Sequence, residues 1–96
     1  MRAPPIPKII HVIPEYPDGV IAMFRDGTAR REDMREHLGT PVFQPLHDRT
    51  EFEAVSIVGG GSGVEWPCGA DLSSLRIEAT GEPLKGDSVF LAAAPV

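Results

Sequence analysis

Two closely spaced turn signals in the first third of the chain constrain its fold most strongly. Pro17-Asp18-Gly19 combines a residue of fixed φ with residues that tolerate positive φ. Asp26-Gly27 is a strong short signal for a β-hairpin. The residues between them, 20–25, form an apolar run of the length of one strand. The sequence therefore predicts a meander of three antiparallel strands around these two turns.

The flanking segments supply the other two strands of the meander. Residues 8–13 carry a β-branched run, and Pro14 is expected to end this strand. Residues 28–31 are expected to form the third strand. This strand is polar, so we expect it at the edge of the sheet.

A second hairpin is predicted further along the chain. Residues 56–58 and 64–66 have the character of two short strands, joined by the glycine-rich segment 59–63. A phosphate-binding loop would be followed by Gly-Lys-Ser/Thr and a helix, whereas this segment is followed by a strand that ends at Pro67. We therefore interpret 59–63 as a flexible hairpin loop.

Short helices complete the predicted fold. Asp48 and Glu51 have the spacing of a capping box, which indicates that a short helix begins there, and residues 32–38 can form a helical turn. A last helix is predicted over 72–80, with Asp71 as its N-cap. Three apolar residues are expected on its inner side: Leu72, Leu75 and Ala79. The order of elements predicts an α+β fold, a three-stranded meander plus a two-stranded hairpin with one or two short helices.

The 96 residues are enough for one domain with one modest core. We expect a flexible N-terminal tail over 1–7 because prolines dominate it, a single domain over 8–80, and a C-terminal extension over 81–96. The apolar run Val89–Ala92 in that extension is open to three interpretations: an edge strand, a surface for a partner, or a mobile segment.

Charge and composition exclude several classes of function. The net charge of −5 opposes binding to phosphate backbones, so no direct nucleic-acid binding is expected. Arg30, Arg31 and Arg35 alternate with acidic residues, which is typical of a solvated mixed-charge face. The sequence offers no signal peptide and no membrane-spanning run, so a cytoplasmic location is expected.

Several motifs resemble, in order, the bacterial family catalogued as domain of unknown function 2442. They extend from about Ile9 to Leu75: Val12-Ile13-Pro14, Phe24–Gly27, Asp33, Phe43–Asp48, Phe52, Val55 and Trp66–Leu72. The resemblance implies a small fold with a curved antiparallel sheet and a function that is not established. Genes of some small members stand beside that of another small protein, which implies a regulatory or toxin–antitoxin role. The chain departs from the family at Cys68, where a polar residue such as Asn or Asp is usual.

No catalytic or metal-binding constellation is indicated. Cys68 is the single cysteine, and it would need a base such as His11, His37 or His47, none of which stands in a catalytic signature. The histidines and the cysteine lack the spacing of metal ligands, so we expect no metal and no cofactor. The carboxylates of Glu65 and Asp71 are explained by solvation and helix capping.

The segment Trp66–Asp71 is the most informative part of the chain. Trp66 is expected to bury its ring, Pro67 to end the strand, Gly69 to allow a turn, and Asp71 to start the helix. Loops on a rigid scaffold often bind partners. Candidate binding residues are therefore Glu65, Trp66, Cys68 and Asp71.

These observations favour a non-enzymatic interaction or regulatory module, the antitoxin-like half of a protein pair. The expected partner is another protein, the product of a neighbouring gene, and an acidic surface suits a basic partner. The alternative is a small-ligand-binding or enzymatic domain with a pocket near Trp66–Asp71. A homodimer through the third strand or through Val89–Ala92 is a further alternative.

Overall fold

Two antiparallel sheets organise residues 6–85, the part of the chain that the computed structural model describes. The first sheet has the strand order β1-β2-β3-β7, with bounds β1 Ile9–Glu15, β2 Gly19–Phe24, β3 Ala29–Asp33 and β7 Glu82–Pro83. The second has the order β4-β5-β6, with bounds β4 Ser56–Val58, β5 Gly63–Glu65 and β6 Asp71–Ser73. The helices are α1 Arg49–Glu53 and α2 Ser74–Thr80, with 3-10 segments at His37–Gly39, Pro41–His47 and Gly59–Gly61. The predicted α+β fold with antiparallel sheets is confirmed.

The meander β1-β2-β3 follows the two turn signals. β1 continues through Pro14, which pairs with Val20, so the prediction that the strand ends at this proline is wrong. The reason is that β1 stands first in its sheet, where a residue without an N–H can be accommodated. A bulge between Ile9 and His11 shifts the register at the other end of the strand.

The third strand is not the edge of its sheet. β7 pairs with β3 at Arg30 and Arg31, so the prediction of a β3 edge is wrong there. Glu32 of β3 lies opposite Val20 and is only 2% exposed. Polar composition suggested an edge, but the side chains of this strand find partners inside the molecule, as described below.

The second hairpin has an additional strand that the sequence did not reveal. β6 occupies 71–73, where the helix was predicted to begin, and Asp71 lies opposite Glu65 of β5. The N-cap of α2 is Ser73, whose hydroxyl accepts a hydrogen bond from the Arg76 amide at 3.0 Å. The prediction that Asp71 caps this helix is therefore wrong. The chain continues the sheet for three more residues before it turns into the helix.

The face that α2 buries also differs from the prediction. Leu72 belongs to β6, and Leu75 is 53% exposed and Ala79 is exposed, whereas Ser74 and Ile77 are buried. The buried Ile77 therefore determines which side of α2 faces the core. Among residues 6–85, no helix has the length and apolar character needed to cross a membrane.

One core lies between the sheets and the helical segments. Trp66 and Phe52 are among its largest fully buried side chains, and Phe43 meets Trp66 edge to face with ring centroids 6.1 Å apart. Half of the predicted capping box of α1 is confirmed, because the Asp48 carboxylate accepts a hydrogen bond from the Glu51 amide at 3.0 Å. The reciprocal bond is absent, because the Asp48 amide donates to the Pro45 carbonyl instead. The burial of Trp66 expected from the sequence is confirmed as well.

The glycine-rich loop between β4 and β5 packs against β1. Gly61 is buried with φ +106°, and a Cβ on this residue would lie 2.7 Å from the Ile9 carbonyl oxygen. A hairpin connection is confirmed, since β4 and β5 pair. A purely flexible loop is the wrong interpretation, because Gly61 is a packing contact between the loop and the first sheet.

Candidate functional site

A tight turn, Pro67-Cys68-Gly69, lies at the centre of the connection 66–70 between β5 and β6. The Trp66 amide donates to the Ala70 carbonyl at 2.9 Å, and the Gly69 amide donates to the Trp66 carbonyl at 2.9 Å. Gly69 has φ +96°, which other residues adopt only with strain. This is the pattern of a tight hairpin with a glycine in its last loop position, so the predicted turn at Gly69 is confirmed.

Two hydrogen bonds tie this loop to helix α1. The buried indole Nε1 of Trp66 donates to the Phe52 carbonyl at 2.9 Å. The Cys68 amide donates to Oε2 of Glu51 at 2.7 Å. The second bond has a carboxylate as acceptor, and charge-assisted bonds of this kind are stronger than neutral ones. The loop is therefore held in one conformation from both its base and its tip.

The accessible part of the hairpin is acidic. Glu65 and Asp71 lie directly opposite each other on neighbouring strands, and both are exposed. Opposite residues in an antiparallel ladder share one face of the sheet, so the two carboxylates stand side by side. Cys68 is exposed at the loop. We call Glu65–Asp71 the acidic hairpin.

The structure does not bring Cys68 together with a histidine. The Nε2 atom of His37 lies 2.9 Å from Oε2 of Glu32, and Nε2 of His47 lies 2.9 Å from the Leu38 carbonyl oxygen. Within residues 6–85, no hydrogen bond joins Cys68 to a histidine. In the same part of the chain, no group of three or more His, Cys, Asp or Glu residues is arranged to hold a metal ion.

A second polar cluster was missed by sequence reasoning. Glu32 was expected on a solvated face, but it is buried and bonded through both of its oxygens, Oε2 to His37 as above and Oε1 to the Thr80 hydroxyl at 2.7 Å. These residues line a concavity of about 510 Å³. Thr80 is 48 positions away from Glu32 in the sequence, so no local pattern could have joined them.

The predicted solvated mixed-charge face is found at Asp33 and Arg35, which are exposed, whereas Arg30 and Arg31 of the same face are half-buried. Arg35 pairs with Asp33 at 2.6 Å, and these hydrogen bonds lower the pKa of Asp33 to about 2. Arg31 pairs with Glu15 at 2.7 Å and with Asp18 at 3.1 Å, and these hydrogen bonds raise the pKa of Arg31. All three pairs are partly or largely exposed, so they add little to stability.

Comparisons with known proteins identify the family to which the chain belongs. No curated protein and no solved structure matches the chain. The family described as protein of unknown function (DUF2442) matches residues 9–80, which include β1 to β6 and both α-helices. The chain therefore belongs to this family of proteins of unknown function.

Proposed function

We propose that this protein is a non-enzymatic interaction module that binds a basic protein partner through the acidic hairpin. The observation that carries this proposal is the fixed conformation of an exposed loop. Trp66 and Cys68 are bonded to α1, while Glu65 and Asp71 project from the exposed face beside the loop.

Pre-organisation is the physical basis of the proposal. A loop that is already ordered loses little conformational entropy on binding, so more of its contact energy contributes to affinity. Two carboxylates on neighbouring strands form a fixed target for lysine or arginine side chains of a partner. The net charge of −5 adds a field that attracts a basic surface at low ionic strength.

We further propose that the partner is the product of a neighbouring gene and that this chain is the regulatory, antitoxin-like half of the pair. The gene arrangement that the family resemblance implies supports this choice. A small acidic protein that covers a basic site on its partner would have this charge and this exposed loop.

Co-purification with charge reversal tests the interaction. The chain and the product of its neighbouring gene, expressed together, should elute as one stoichiometric complex. The double variant Glu65→Lys/Asp71→Lys should lose the complex, while Glu78→Lys, on the exposed side of α2, should retain it. Retention of the complex by the double variant would show that binding does not use the acidic hairpin.

The alternative, a ligand or enzymatic site near Trp66–Asp71, has less support. Trp66 is 1% exposed and its indole N–H is already bonded, so it offers no free group to a ligand. The concavity around Glu32 is lined by other residues. A homodimer stays a separate proposal, and a mass above that of one chain in light scattering would support it.

A further inference from the structure

The concavity beside β3 and α2 has the size of a small-molecule site. Its volume is about 510 Å³, and pockets for small ligands span roughly 300–1,000 Å³. Its lining combines β3, the segment that follows β3 and the last two turns of α2. Titratable groups converge there around the buried Glu32.

Glu32 fixes the orientation of the His37 ring. Its Oε2 atom lies 2.9 Å from His37 Nε2, and its other oxygen accepts from Thr80. A carboxylate only accepts hydrogen bonds, so the ring hydrogen of His37 is on Nε2. In the neutral ring Nδ1 is then an acceptor with a free lone pair.

The Nδ1 atom of His37 is not among the fully buried atoms that lack a hydrogen-bond partner in the described part of the chain. Within residues 6–85 it has no hydrogen-bond partner, and the only buried side-chain polar atom without one in that range is the Ser74 hydroxyl. The His37 side chain is 11% exposed and lines the concavity. Nδ1 is therefore open to a hydrogen-bond donor that enters this space.

Arg76 supplies a positive charge at the same place. Its guanidinium forms no ion pair with residues 6–85, whereas that of Arg35 is occupied by Asp33. A guanidinium binds a carboxylate with two parallel hydrogen bonds. Asp33 and Glu36 also line the concavity, and their charges disfavour a dianion such as a phosphate monoester more than a monoanion.

We propose that this concavity binds a small hydroxycarboxylate. The ligand hydroxyl donates to Nδ1 of His37, and its carboxylate pairs with Arg76. Glu32 is a positioning residue, which acts on the ligand only through the His37 ring. This site is independent of the acidic hairpin, so either one can fail without the other.

NMR titration of the folded chain tests the site directly. L-Lactate is the probe, and propionate, which has the same charge but no hydroxyl, is the matched control. Lactate should shift the Nδ1 resonance of His37 and the side-chain resonances of Arg76 in a saturable manner. Propionate should bind roughly two- to tenfold more weakly, because the bond to His37 is missing. The exposed His11 serves as an internal reference.

Two variants test which residues contribute to the affinity for lactate. Arg76→Gln should weaken the binding of lactate at least about tenfold, and His37→Phe should weaken it roughly two- to tenfold. Arg25→Gln, in a different concavity, should leave the affinity unchanged. The wild-type titration alone is decisive where a variant fails to fold.

Several results would overturn the proposal. These are the absence of a saturable shift at His37, equal binding of lactate and propionate, an unchanged affinity in Arg76→Gln, or tighter binding of inorganic phosphate than of lactate.

Discussion

At the scale of single residues, two adjacent serines at the start of α2 have opposite surroundings. Ser73 caps the helix, while the buried Ser74 hydroxyl has no partner within residues 6–85. Ser73→Ala should lower the free energy of unfolding by about 1 kcal/mol. Ser74→Ala should raise it by about 1 kcal/mol, because an unpaired buried hydroxyl is removed. Urea denaturation followed by Trp66 fluorescence measures both, and similar losses in the two variants would contradict this assignment.

The ion pair between Asp33 and Arg35 should make the stability of the fold depend on pH in the acid range. The pKa of Asp33 in the folded state, about 2, is below its ordinary value of 3.8. Because the pair is exposed, its contribution to stability is small; this contribution is present above about pH 4 and is lost as the pH falls toward 2. Asp33→Asn should flatten the fall of Tm between these two pH values.

Thermal unfolding at a series of pH values measures this effect. The curves of the wild type and of Asp33→Asn should converge near pH 2 and differ most above about pH 4. The difference should shrink in high salt, because the pair is exposed. Parallel curves over the whole range would show that the pair has no role in acid stability.

The chemistry of a residue alone predicted the structural role of some residues but not of others. The burial of Trp66 and the positive φ of Gly69 followed from their chemistry alone. The role of Asp71 did not, because its preference for N-caps favoured a helix start there, whereas Ser73, two residues later, is the cap of α2. The burial of Glu32 depends on Thr80, far along the chain, and no local pattern carries that information.

At the scale of elements, alanine substitutions at two neighbouring glycines of the loop between β4 and β5 should differ in their cost to stability. Gly60 has φ +66° with open space where a Cβ would lie, whereas Gly61 has φ +106° and faces the Ile9 backbone. Gly60→Ala should cost about 1–2 kcal/mol of stability, from backbone strain alone. Gly61→Ala should cost roughly 3 kcal/mol or more, because the added methyl also displaces β1. Chemical denaturation distinguishes the two, and equal costs would show that the loop does not pack on β1.

The fixed conformation of the acidic hairpin is also open to test. Glu51→Ala removes the acceptor of the Cys68 amide, so hydrogen exchange at that amide should accelerate at least about tenfold. Glu53→Ala, on the same helix, loses only an exposed pair with Arg49 and should leave the exchange unchanged. Unchanged exchange in Glu51→Ala would mean that the loop is ordered without this bond.

Strands bounded by turn signals were predictable, and strands defined only by their partners were not. Asp26-Gly27 and the glycine-rich segment placed the two hairpins. β6 and β7 have three and two residues, too few for an alternating pattern, and each exists because a neighbouring strand offers free backbone groups.

At the scale of the whole molecule, β7 changes how a second copy could add to the first sheet. It covers β3 at Arg30 and Arg31, so pairing of two copies through β3 would require displacement of β7 at these positions. The other proposed dimer contact, Val89–Ala92, lies outside the described residues. The exposed acidic hairpin belongs to the second sheet and is independent of either contact.

The single cysteine makes the central claim directly measurable. Cys68 is the one cysteine of the chain and is exposed on the acidic hairpin, so a photo-reactive maleimide can be attached there. The control carries the same probe on the exposed side of α2, in the variant Cys68→Ser/Glu78→Cys. Light scattering and co-purification should first be used to check that both labelled proteins remain folded and still bind the partner.

Irradiation of each labelled chain with the product of the neighbouring gene gives the decisive comparison. We predict a stoichiometric cross-link from position 68 that is lost in Glu65→Lys/Asp71→Lys, and little or none from position 78. Equal cross-linking from the two positions, or none from position 68 in a complex that still forms, would contradict binding through the acidic hairpin.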